Sequence, residues 1–120
     1  MRRDPRRALD RARDILDAIA NIYDDLGGLS KETFIVDGKT QRAVIEGFIV
    51  VGEAANRLQD LSPELEQSIP DLWLHLRDAY DMRNVLTHEY FRVDAGIVWE
   101  TIKQELPQLD SLLKEFVGKD

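Results

Sequence analysis

Residues 40–58 read Thr40-Gln41-Arg42-Ala43-Val44-Ile45-Glu46-Gly47-Phe48-Ile49-Val50-Val51-Gly52-Glu53-Ala54-Ala55-Asn56-Arg57-Leu58, and whether they form helix or strand decides the fold. The β-branched run Ile49-Val50-Val51 suits a strand. The longer pattern does not: Val44, Phe48, Val51, Ala55 and Leu58 step by four, three, four and three, the spacing that lines one face of an α-helix. Thr40 is read as its cap. Gly47 and Gly52 interrupt the helix at ~1 kcal/mol each against alanine, so they are read as one stripe on which a neighbouring helix packs closely.

The same spacing recurs on both sides. Upstream, Leu9, Ala12, Ile15, Leu16, Ile19, Ile22 and Leu26 mark a first helix, opened by Asp4-Pro5 as cap and first-turn pair and closed by Gly27-Gly28. Residues 29–39 contain Ser30 and Asp37-Gly38 and read as a loop with room for one short turn of helix. Downstream, Ser62-Pro63 and Ile69-Pro70-Asp71 bracket a short helix, and a third main helix carries Leu72, Leu76, Ala79, Met82 and Leu86 on its buried side. Val93-Asp94 reads as a turn and cap before a last helix marked by Val98, Ile102, Leu109, Leu113 and Phe116. Pro107 should kink that helix or end its first half, because it has no N–H to donate. The expected fold is all-α, an antiparallel bundle of four to five helices, with residues 1–120 as one domain.

Composition narrows the class. A chain of 120 residues with 43% hydrophobic content can bury a core. No run approaches the ~18 apolar residues that span a bilayer, and the Arg-rich start lacks a signal peptide's apolar block, so no membrane and a cytoplasmic location are expected. Absence of cysteine removes disulfides, thiolate nucleophiles and cysteine-ligated zinc. His75 and His88, thirteen residues apart, do not have the spacing of a metal pair, so neither metal nor cofactor is expected. A net charge of −7 argues against a general nucleic-acid binder. The charge is uneven: residues 1–13 hold six arginines against Asp4 and Asp10, a net +4 that leaves −11 for the rest. The acidic body suits a basic protein partner, and the arginines read as a solvated helical turn.

Near the end of the third main helix, Met82-Arg83-Asn84-Val85-Leu86-Thr87-His88-Glu89-Tyr90 places a permanent cation, an imidazole and a phenol close together. Arginine can hold a phosphate, and histidine, with an ordinary pKa of ~6.5, can move protons near neutral pH. On a straight helix Arg83 and Tyr90 are nearly eclipsed, whereas His88 points ~140° away from Arg83. Either the helix loosens around Thr87 to Tyr90, or two copies meet across a twofold axis. Structural roles compete on spacing alone: Arg83 paired with Asp78, Asp81 or Glu89, His88 capping a helix end, Tyr90 as a half-buried aromatic. Glu53 has two candidate partners, Arg83 and, four residues on, Arg57. His75 reads as a helix-surface or boundary residue, and Trp73 and Trp99 as anchors of the core or of a dimer interface.

With its flanks, Val51-Gly52-Glu53-Ala54-Ala55-Asn56 before it and Tyr90-Phe91-Arg92-Val93-Asp94 with Ile97-Val98-Trp99-Glu100 after it, the motif resembles the HepT-like toxins of the HEPN superfamily. The resemblance runs from roughly Arg6 to Leu109. It implies a HEPN-like homodimer in which two protomers bring their motifs together in a cleft, with Arg83, Asn84 and His88 as the catalytic set; Glu53, read from its own surroundings as a partner that would orient or neutralise Arg83, is the candidate supporting residue. It implies further that the chain is a metal-independent endoribonuclease, the toxin of a type VII-like toxin-antitoxin pair, leaving a 2′,3′-cyclic phosphate on its RNA. Tyr90 would then be the site at which an MntA-type nucleotidyltransferase antitoxin adds AMP. The alternative is a HEPN helical partner that docks the nucleotidyltransferase and positions its substrate without cleaving RNA. Intact Arg83, Asn84, His88 and Tyr90 favour the ribonuclease, and toxicity on expression without the partner separates the two.

Overall fold

In the computed structural model, which describes residues 5–118, the helices in chain order are α1 (Pro5–Leu26), α2 (Lys31–Phe34), α3 (Gly38–Leu61), α4 (Leu65–Ser68), α5 (Pro70–His88), α6 (Ala95–Glu100) and α7 (Leu106–Gly118). No strand occurs among the described residues. The stretch quoted above forms α3, and Val44, Phe48, Val51, Ala55 and Leu58 are all buried. Within the β-branched run Val51 is buried and Val50 faces outward, so helical phase overrides local strand preference. The helix starts at Gly38 because Asp37, not Thr40, is the cap. Its carboxylate accepts from the Thr40 N–H at 3.0 Å and from the Thr40 hydroxyl at 2.8 Å.

Contacts along α3 fix the direction of its neighbours. Gly52 lies against Ala79 and Arg83, while seven residues on the Gln59 side-chain N–H donates to the Trp73 carbonyl at 3.2 Å, so α3 and α5 run antiparallel. Gly47 lies against Ile22 of α1. His75 of α5 stands 3.7 Å from Glu105, just before α7. Packing of α1 on α7 closes the ring, and there burial, followed by the Asp110 carboxylate, raises the Tyr23 phenol above its usual range. Four long helical runs thus enclose one apolar cluster that includes Ile15, Phe34, Leu58, Leu76 and Leu113. Truncating any of these large side chains to alanine would cost about 2–5 kcal/mol.

One expectation is corrected by this packing: Gly47 and Gly52 are not one stripe. A Cβ at Gly47 would come within 2.5 Å of Ile22 Cγ1, and one at Gly52 within 2.2 Å of Arg83 Cβ and 2.8 Å of the Ala79 carbonyl oxygen. Five positions apart, they face ~140° away from each other and serve two different helices. Ala79 and Met82, expected on the buried side of α5, are only partly covered. Together with Phe48, Val51, Leu106 and Leu109 they line a cavity of about 280 Å³.

The connections follow the sequence. Ser30 caps α2, its hydroxyl oxygen accepting from the Thr33 N–H at 3.2 Å, and α4 fills the interval between Pro63 and Pro70. Asp94 caps α6, accepting from the Gly96 N–H at 2.8 Å. Pro107 does not end the last helix: a π turn over Thr101–Glu105 joins α6 to α7 just ahead of it, the wider turn absorbing the missing donor and the ring. The Asp4 cap and Arg2 and Arg3 lie outside the described residues. Arg11 pairs with Asp14 at 3.0 Å and Arg13 with Asp10 at 3.7 Å within α1, as a solvated charged face would. Trp99 packs on Phe34 with ring centroids 5.7 Å apart, and Trp73 is half-buried against the same core. Among the described residues no helix is long and apolar enough to cross a membrane.

Candidate active site

Arg83 leaves α5 where that helix crosses α3. Its stem rests on Gly52, its Nη2 donates to Glu53 Oε1 at 3.0 Å, and its Nη1 donates to Asn84 Oδ1 at 3.0 Å. Glu53 therefore takes Arg83 as its partner across the helix crossing, and the carboxylate that meets Arg83 comes from α3 rather than from Asp78, Asp81 or Glu89. The side chains of Arg83 and Glu53 are 27% and 50% exposed. Ion pairs of such exposure contribute only about 0.2–1 kcal/mol, so the main consequence is direction, not stability. The Nε–H of Arg83 is buried and has no hydrogen-bond partner among the described residues. Of the five N–H groups of a guanidinium, that leaves one on each terminal nitrogen, the pair that a phosphate takes up in a two-pronged contact.

His88 is the last residue of α5. Its Nδ1 lies 2.8 Å from the main-chain carbonyl of Asn84, and since a carbonyl oxygen only accepts, Nδ1 carries the proton. In the neutral ring Nε2 is then left with its lone pair, able to take a proton and, once protonated, to give one. The Thr87 hydroxyl donates to the same carbonyl at 3.1 Å. Asn84 thus touches both chemical groups, holding Arg83 with its side chain and His88 with its backbone.

The helix does loosen, but after His88. Glu89 ends α5 with φ −117° and ψ 28°, its N–H reaching the Val85 carbonyl at 2.8 Å, and Tyr90–Arg92 form a 3₁₀ turn. Arg83 and His88 consequently keep their helical phase, ~140° apart, and it is Tyr90, 42% exposed, that is carried out of register with Arg83. One chain brings Glu53, Arg83 and Asn84 together and links His88 to them through Asn84, without placing His88 on the Arg83 face. Sequence reasoning missed Gly52 as the surface on which Arg83 rests, and the Thr87 hydroxyl. The signal for the first was a helix-interior glycine adjoining a carboxylate.

The apolar cavity beside Ala79 and Met82 has His75, Asp78, Thr101 and Glu105 on its rim and excludes Arg83 and His88. A more polar groove of about 340 Å³ between α1 and α3, lined by Arg11, Asp14, Asp17 and Arg57, has Glu53 on its wall. Among the described residues no three His, Cys, Asp or Glu side chains converge as metal ligands would.

Bundle and motif define a class: an all-α, up-and-down protein whose third long helix ends with arginine, asparagine and histidine at spacings of one and four, a tyrosine following two residues after the histidine. The sequence profile of the family described as Ribonuclease HepT-like matches residues 15–116, and the chain belongs to that family. A chain from Thermococcus cleftensis, provisionally named ribonuclease HepT, is 36% identical over 100 residues, covering 83% of this protein and 86% of that one. One from Caldanaerobacter subterraneus subsp. tengcongensis, provisionally named an RNase, is 33% identical over 106 residues, or 88% and 90% of the two chains. Another provisionally named RNase, from Methanocaldococcus jannaschii, is 32% identical over 111 residues, or 89% and 88%. No solved structure matches significantly.

Proposed function

We propose that the protein is a metal-independent endoribonuclease in which Arg83 holds the scissile phosphate and His88 moves the proton. Asn84 carries this reading: it fixes the guanidinium through its side chain and sets the imidazole tautomer through its carbonyl. In the reaction the 2′-oxygen attacks the neighbouring phosphorus while its proton passes to Nε2 of a neutral His88. The bond from phosphorus to the 5′-oxygen then breaks, the leaving oxygen takes a proton from water, His88 returns its own proton to the solvent, and a 2′,3′-cyclic phosphate and a 5′-hydroxyl result. Charge building on the phosphoryl oxygens is met by the two outward N–H groups of Arg83. Two protomers related by a twofold axis supply an arginine on one side of the cleft and a histidine on the other, which the separate faces of α5 call for.

Tyr90 is the regulatory site of this reading. It stands two residues past the end of α5 and is 42% exposed, which suits modification by a nucleotidyltransferase antitoxin that adds AMP. An adenylyl phosphodiester there brings a second anion to the mouth of the cleft and excludes RNA by charge and volume. Arg83→Ala and His88→Ala should each lower RNA cleavage by about 10²-fold or more, with helical content and thermal midpoint nearly unchanged. EDTA should leave wild-type cleavage intact. Full cleavage by either variant, or its loss on chelation, overturns the scheme.

A further inference from the structure

Arg83 is held at three points, and two of them come from consecutive residues of another helix. Gly52 meets the stem: an added Cβ would fall 2.2 Å from Arg83 Cβ, 3.0 Å from Arg83 Cγ and 2.8 Å from the Ala79 carbonyl oxygen, so this approach exists only because position 52 has no side chain. Glu53 meets the tip, accepting from Nη2 at 3.0 Å. Asn84, the third point, sits on the same helix as Arg83 and cannot by itself fix α5 relative to α3. Gly47 provides the internal comparison. It also makes a close helix contact, 2.5 Å from an added Cβ, but against the flexible Ile22 side chain of α1, away from Arg83.

We infer that Gly52 and Glu53 form a positioning pair for Arg83, which rests on the ribonuclease reading above: Gly52 lets the arginine stem lie flush on α3, and Glu53 aims the guanidinium so that one N–H of each terminal nitrogen faces the substrate phosphate. Neither residue touches RNA in this scheme. The carboxylate takes one N–H of Nη2 and leaves that nitrogen a second N–H, so it orients the phosphate-binding group without using up its donors.

The experiment compares Glu53→Ala, Glu53→Gln, Gly52→Ala, Gly47→Ala and Arg83→Ala in the full chain. Thermal midpoint, kcat and KM for RNA cleavage are measured, together with affinity for a 2′-O-methyl oligoribonucleotide that cannot be cleaved. Misplacing a catalytic group by about 1 Å costs roughly 10²-fold, so Glu53→Ala should lower kcat/KM by about that factor at an unchanged midpoint. Glu53→Gln, which keeps the acceptor oxygen, should recover most of the loss. In an Arg83→Ala background Glu53→Ala should no longer alter oligonucleotide affinity, because the group it aims is gone. Gly52→Ala should lose more cleavage than Gly47→Ala when the two are compared at equal folded fraction. Wild-type cleavage by Glu53→Ala, or a gain in it, overturns the positioning role while leaving the ribonuclease reading in place. Wild-type cleavage by Arg83→Ala overturns the ribonuclease reading itself.

Discussion

Asn84 shows how a single polar residue organises a site on a helix. Its side chain accepts from Arg83 while its carbonyl, shared by Thr87 and His88, sets which imidazole nitrogen carries the proton. Neither interaction required a special backbone: α5 is regular helix through His88. Motif membership was legible from residue types, but which groups Asn84 holds was not, because that depends on side-chain rotamers. The choice between Arg83 and Arg57 as partner of Glu53 was open for the same reason: four-residue spacing offered Arg57, and the helix crossing supplied Arg83. At this scale Tyr90 gives a sharp test. Tyr90→Phe should keep its fold and its cleavage yet escape neutralisation by a nucleotidyltransferase that works through AMP transfer. Intact-mass analysis after incubation with that enzyme and ATP should find an adenylyl mass on wild type and none on Tyr90→Phe. A label that persists on the variant moves the modification elsewhere.

Among the elements, α3 was legible because its apolar spacing outweighs three β-branched residues, whereas its cap was misplaced by three residues. Thr40 and Asp37 are both cap types. The carboxylate reaches the Thr40 N–H and hydroxyl together, and the chain closes on that pair. These two bonds, the backbone one first, hold the Asp37 carboxyl below its ordinary range. A depressed folded value means that the charged form stabilises the native state above the unfolded pKa, and that this contribution is lost as pH falls through the folded value. Asp37→Asn should therefore unfold at a lower temperature than wild type near neutral pH, with the gap closing as pH falls through and below the ordinary carboxylate range. Thermal melts followed by circular dichroism across that range check this, and a gap independent of pH would place the stabilisation in something other than the ionised cap. Pro107 was read correctly as a disturbance. Its outcome, a π turn instead of an end, was decided by Ile102, Leu106 and Leu109, whose burial keeps both halves of the run on the core.

For the whole molecule, the decisive feature is that the break in helix geometry falls after His88, leaving Arg83 and His88 on separate faces of α5. That supports a cleft made by two chains. Leu74 and Val85, 54% and 57% exposed and three turns apart on one face of α5, offer apolar surface for such an axis. If each site takes Arg83 from one protomer and His88 from the other, mixing inactive Arg83→Ala and His88→Ala chains should restore about a quarter of wild-type cleavage, since half of the dimers are mixed and each has one complete site. No recovery after subunit exchange, shown complete by differential tagging, would place both groups in one chain or remove the dimer. By itself the sequence determined where the helices lie and which residues make up the motif, because a 3.6-residue period and residue chemistry are local properties. Only the tertiary structure decided which helices Gly47 and Gly52 meet, that Glu53 meets Arg83, and that Tyr90 leaves the register of Arg83. Those outcomes depend on where two helices cross and how each is rotated about its axis, and that is fixed by the packing of the whole core.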